Sequence, residues 1–167
     1  RNIGLADASI SGQNFVGGLV GYADNNTVIE YSFTKGSVSG SNNIGGLVGW
    51  LDAASSVKNS YNRASISGNS RTGGVAGFNV AGNIDSTYNA GVINSAIEAG
   101  GLVGKTLSGV VTASYWDGNV SGQPTSAGGT KLTTTQMQKQ SSFSGWDFSN
   151  LWRIFEDNGY PFLMLSL

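Results

Sequence analysis

The sequence predicts an all-β fold: a parallel β-solenoid (β-helix) of about four coils, each 27–28 residues long. Three markers that move in phase predict it. The pentapeptide GGLVG stands at residues 17–21, 45–49 and 100–104, with GGVAG at 73–77, so Gly17, Gly45, Gly73 and Gly100 step by 28, 28 and 27. Upstream, Ile10, Val38, Ile66 and Ile93 take the same steps. Downstream comes an aliphatic residue followed four positions later by an aromatic: Ile29/Phe33, Val57/Tyr61, Ile84/Tyr88 and Val111/Tyr115. A period of this length marks a stacked architecture.

Residue types decide which one. Long runs of Ala, Leu, Glu and Lys, which a helical repeat needs, are missing. Each period instead offers three short β-leaning pieces divided by Gly, Asn, Ser and Asp. One coil per repeat then stacks like residues about 4.8 Å apart. Four coils make a rod about 20 Å long.

Each element follows from its residues. Read with period 2, the GGLVG strand puts Leu19, Leu47, Val75 and Leu102 on one face, and Val20, Val48, Ala76 and Val103 on the other. If both ladders are buried, the strand is covered on both faces, by a flattened coil or a folded-over tail; otherwise one ladder or the other is the interior. The glycines are expected to let a large neighbour sit close in a thin core. Phe33, Tyr61, Tyr88 and Tyr115 form a row expected in the core. Ser rows at 9, 37 and 65 and at 11, 39 and 67 are expected to hydrogen-bond between coils or to water.

After Tyr115 the period stops. Three of the four tryptophans (Trp116, Trp146, Trp152) and both prolines lie in residues 116–167. KLTTTQMQKQSSF reads as a short helix with Thr133 or Thr134 as N-cap. The last coil of a solenoid exposes apolar interior and strand edges, which a distinct element must cover. The expected division is repeats over 1–118 and a capping segment over 119–167, together one structural domain. RNIGLAD is too short to cap the first coil, and the chain opens on Arg1. The N-terminal edge is therefore expected to meet the rest of a larger parent chain or another copy.

Composition narrows the function. With 39% apolar and only 11% charged residues, the chain is a folded β protein rather than a disordered one. Net charge is −1, which gives no electrostatic grip on nucleic acid or anionic membrane. The longest apolar run, YPFLMLSL, is far below the roughly 20 residues of a membrane span. No cysteine and no histidine occur, so no disulfide, thiol nucleophile or histidine triad is available. The ten acids are scattered, and the reading is not an enzyme, without cofactor or metal. Asp24 and Asp52 share a phase, but no third ligand recurs; they read as solvated turn residues. Threonines share no phase, which argues against an ice-binding face.

One candidate binding site remains. Tyr22, Trp50 and Phe78 stack as an aromatic ladder that could receive sugar rings if exposed, against the alternative of a buried stack. Lys105 in the fourth position suggests that this row reaches solvent at the capped end.

The repeated SISG…VGGLVGY…TVIEYSF resembles the GLUG repeat of bacterial secreted and surface proteins, among them filamentous-haemagglutinin-like adhesins and the non-catalytic part of immunoglobulin A proteases. The tail SYWDG…LTTTQM…GWDF…NGYPFL resembles the segment that closes such arrays. Departures are Val75 and Ala76 in the third copy and Lys105 in the fourth. The resemblance implies a secreted, extracellular or cell-surface location and carries no catalytic residues. The expected function is a non-catalytic stalk or ligand-presenting, adhesive module, with a glycan or host surface protein as partner. The alternative is a self-assembling subunit of an extracellular fibre; a polysaccharide-active β-helix enzyme fits less well.

Overall fold

The computed structural model describes residues 1–164; the last three residues of the YPFLMLSL run lie outside them. Four strands trace the first coil: β1 (Gly4–Ser11), β2 (Asn14–Gly17), β3 (Val20–Ala23) and β4 (Val28–Glu30). Each founds a parallel ladder running through the later coils, giving sheets A, B, C and D. Registers match the sequence phase: Ile10 pairs with Val38, Val38 with Ile66 and Ile66 with Ile93. The expected solenoid of about four coils is the fold.

GGLVG is a corner, not a strand. β2 ends at Gly17 and β3 begins at Val20, with a bend at Gly18–Leu19 repeated at 46–47, 74–75 and 101–102. The bend cancels the alternation of side chains, so the expected opposition of the two ladders fails. Leu47, Val75 and Leu102 enter the same buried cluster as Val48, Ala76 and Val103, and Leu19 and Val20 pack against it. A period-2 reading holds only while the backbone stays extended.

The glycines have steric causes that differ by row. A Cβ on the first glycine of each copy would run into the carbonyl of the residue three positions later, across the corner. On Gly46 and Gly74 it would overlap the side chains of Asn62 and Asn89, and on Gly101 the indole of Trp116. Those neighbours form a buried row that begins at Thr34, and sequence reasoning missed it. Thr34 Oγ1 donates to Asn62 Oδ1 (2.7 Å), and Asn62 Nδ2 donates to Asn89 Oδ1 (2.7 Å). Asn89 Nδ2 also donates to the Gly91 and Gly101 carbonyls, and its Oδ1 accepts from Gly91 N–H. The two asparagines are fully buried, and the amides satisfy one another along the axis.

A second hydroxyl row, Ser32, Ser60, Thr87 and Ser114, is buried at the turn into sheet A. There Ser60 Oγ accepts from Ser32 N–H and Ser114 Oγ from Thr87 N–H. Just before it, Tyr31, Asn59, Ser86 and Ala113 all have positive φ. That left-handed step reverses the side on which side chains emerge. Ile29, Val57 and Ile84 therefore point into the interior, while Phe33, Tyr61, Tyr88 and Tyr115 point out of the coil.

The tyrosine row is buried, as expected of core residues, but under the tail rather than inside the coil. Tyr61 and Tyr88 stack at 5.0 Å and 7°. Trp146, Trp152, Met137 and Phe143 pack on that row to form a second core. Trp152 is fully buried, 4.3 Å from the Trp146 ring centroid and 6.2 Å from those of Tyr61 and Tyr88. Tyr88 OH donates to Pro161 O (2.6 Å), and Tyr160 OH to the buried carboxylate of Asp117 (2.8 Å). Burial lifts the Tyr88 phenol well above its ordinary pKa, so it stays a hydrogen-bond donor.

The tail also covers the end of the last coil. Thr130–Leu132 pairs with Tyr115–Asp117, and Ser126 Oγ accepts from Leu102 and Val103 N–H. Asp117 caps α1 (Gly118–Ser121) by accepting from the amides of Asn119 and Val120. The expected helix over KLTTTQMQKQSSF is one α-turn, α2 (Thr134–Met137), followed by a 3-10 turn at Gln140–Ser142. Thr133 is its N-cap in a capping box with Gln136.

Candidate functional site

The outer face of sheet C carries the candidate ladder in register. Tyr22 pairs with Trp50, Trp50 with Phe78 and Phe78 with Lys105. Tyr22 and Trp50 stack with centroids 5.6 Å apart and planes at 16°. Each thus turns one face along the solenoid axis toward the other. Trp50 and Phe78 pack edge-to-face at 4.8 Å.

Exposure falls along the row, from 47% at Tyr22 to 8% at Phe78. Exposure returns at the fourth position, where the Lys105 side chain is 39% exposed, so Phe78 is the covered member of the row. The cause lies on sheet B: the Arg71 guanidinium sits 5.1 Å above the Phe78 ring and shields it. Arg71 and Lys105 both pair with Glu98. The Lys105 hydrogen bond, with help from Arg71, holds the Glu98 carboxyl below its ordinary pKa. A group with a depressed folded pKa stabilises above its unfolded pKa and loses that contribution as pH falls through the folded value. Glu98→Gln is therefore expected to lower the melting temperature slightly at neutral pH and not at all in strong acid; an equal loss at both would show that the ion pairs contribute nothing. Thermal melts across the acid range read this directly.

Sequence reasoning missed Phe15. It is 41% exposed and packs edge-to-face on both Tyr22 (5.9 Å, 82°) and Trp50 (5.5 Å, 75°). Nearly perpendicular to the stacked pair, its ring lies parallel to the solenoid axis. A left-handed backbone puts it there, with φ 55°. Asn43, Arg71 and Glu98 occupy the same position in later coils with φ of 58°, 50° and 50°. That shared phase was legible, but four unlike side chains gave no chemical reason to read it as a row.

Beside the aromatic patch stand the two phase-matched aspartates. Asp24 is exposed, and its backbone carbonyl accepts from Thr27. Asp52 accepts from Ala53 N–H and from the Tyr22 phenol at 3.2 Å. Partial desolvation and the Asp52 carboxylate raise the Tyr22 pKa. Among the described residues, no group of three or more His, Cys, Asp or Glu side chains could hold a metal ion. No helix among them is long and apolar enough to cross a membrane.

Parallel ladders in four sheets, a 27–28-residue coil and an outward aromatic row define a β-solenoid repeat module. Two of its repeats match a known family: residues 12–39 and 40–67 each match the family model described as the GLUG motif. Each matched stretch is one coil's length and contains one GGLVG corner. Neither the search of curated proteins nor that of solved structures found a match.

Proposed function

We propose that this solenoid is a non-catalytic stalk or ligand-presenting module of a secreted bacterial surface protein, and that it adheres to a glycan or a glycosylated host protein. The observation that carries this reading is the cluster of three aromatic rings that exposed Phe15 and Tyr22 form with half-buried Trp50 on one face of the solenoid. Tyr22 and Trp50 each give one face to the other, and the exposed Phe15 ring beside them supplies a platform for the apolar face of a sugar ring. Asp52, Asp24 and the Tyr22 phenol supply hydrogen bonds at its rim. Stacked coils hold this patch rigid, which lowers the ordering cost of binding.

A glycan array, followed by titration of any sugar that binds, tests the reading. Phe15→Ala and Tyr22→Ala are expected to weaken binding by about tenfold or more, equivalent to about 1.4 kcal/mol. Both side chains are exposed, so circular dichroism should be unchanged. A blank array, or variants that bind as tightly as the parent, would overturn the proposal.

A second reading rests on the outer edges of β1 to β4, each paired on one side only among the described residues. Another coil, from the parent chain or from a second copy, would complete those ladders, and repeated copies would build a fibre. Light scattering across a concentration series separates the two readings: elongated growth supports assembly, and a constant monomer removes it.

A further inference from the structure

We propose that Asn158 is a site of spontaneous backbone modification, through deamidation to aspartate and isoaspartate, and that the change unfastens the tail from the tyrosine row. Of the asparagines in the chain, Asn158 alone is followed by glycine. The reaction needs the next residue's backbone nitrogen to reach the asparagine side-chain carbonyl, which glycine allows because it has no Cβ and a free choice of φ. The surroundings permit that approach. Asn158 is exposed in a turn closed by its own N–H donating to Phe155 O (3.1 Å), and a Cβ built on Gly159 meets nothing within 4 Å. Among the described residues, no hydrogen bond holds the Asn158 side-chain amide or the Gly159 N–H.

The step balances without a co-reactant other than water. Gly159 N attacks Asn158 Cγ and a C–N bond forms. The side-chain nitrogen leaves as ammonia, taking the proton from Gly159 N. Water then opens the cyclic imide at either carbonyl, giving aspartate or isoaspartate. Asp117–Gly118, the chain's only Asp-Gly pair, could form the same imide by loss of water, but it is held fast. Asp117 is fully buried, and its carboxylate accepts from Asn119 and Val120 N–H, Thr134 Oγ1 and Tyr160 OH.

Position gives the change its consequence. The two residues after Gly159 fasten the tail, Tyr160 through Asp117 and a stacked contact on Tyr88 (6.2 Å, 15°), and Pro161 through the Tyr88 phenol. Isoaspartate inserts an extra methylene into the backbone one residue ahead of them. It also places a new negative charge beside Glu156 and Asp157.

The test incubates the whole chain at mildly alkaline pH and body temperature, then maps peptides by mass spectrometry with isoaspartyl-methyltransferase labelling. The expected result is modification concentrated at Asn158, with Asp117–Gly118 reacting only in denaturant. Tryptophan fluorescence and protease sensitivity of residues 134–164 should change in step with it, and neither change should occur in Asn158→Gln. Asn158 staying intact in the folded chain while it reacts in denaturant would overturn the site. Modification without any change in the tail would overturn the consequence.

Discussion

Trp152→Ala is expected to lower stability by about 3–5 kcal/mol, the usual cost of emptying a large aromatic site in a packed core. The indole is fully buried between Trp146 and the Tyr61/Tyr88 stack. Solenoid coils draw stability mainly from their nearest neighbours, so the loss should fall on the tail before the central coils. Urea unfolding followed by far-ultraviolet circular dichroism, combined with limited proteolysis, checks both parts. Cuts should cluster within residues 134–164 while the β signal persists. Cooperative loss of tail and coils together would show instead that the tyrosine row is essential to coil stacking.

Gly74→Ala should be nearly as damaging although it adds one methyl group. The new Cβ would overlap the Asn89 side chain, which cannot turn away without breaking its bonds to Gly91, Gly101 and Asn62. Overpacking costs about 1–3 kcal/mol, and each hydrogen bond lost adds about 1 kcal/mol. A steric cause predicts coupling. Adding Asn89→Gly removes the obstacle, so the double variant should lose less stability than the two single losses combined. Additive losses would place the cost in glycine's backbone freedom instead. Chemical denaturation of the four proteins closes the cycle.

Much of this architecture was legible because a solenoid repeats its environment. Ile10, Val38, Ile66 and Ile93 face the same surroundings in every coil, so one chemical type recurs at one phase. The GGLVG glycines were legible as close approaches, but their partners were not. Asn62 and Asn89 share a phase with Thr34 and Trp116, and a row of unlike residues hides in a search for like ones. The candidate site was half legible for the same reason. Tyr22, Trp50 and Phe78 announced themselves as aromatics, whereas Phe15 recurs as Asn43, Arg71 and Glu98. The shielding of Phe78 depends on Arg71, a residue of another sheet.

By itself, then, the sequence determined the period, the parallel stacking and which residues share a ladder, because these follow from local spacing. Only the tertiary structure decided which way each ladder points. Left-handed steps at Tyr31, Asn59, Ser86 and Ala113 and the bends after Gly17, Gly45, Gly73 and Gly100 reset the side-chain direction within each coil. A β pattern records alternation along an extended chain, and it carries no mark where the backbone turns. The tail's seat on the tyrosine row arises from contacts distant along the chain, such as Tyr88 with Pro161, to which no local periodicity points.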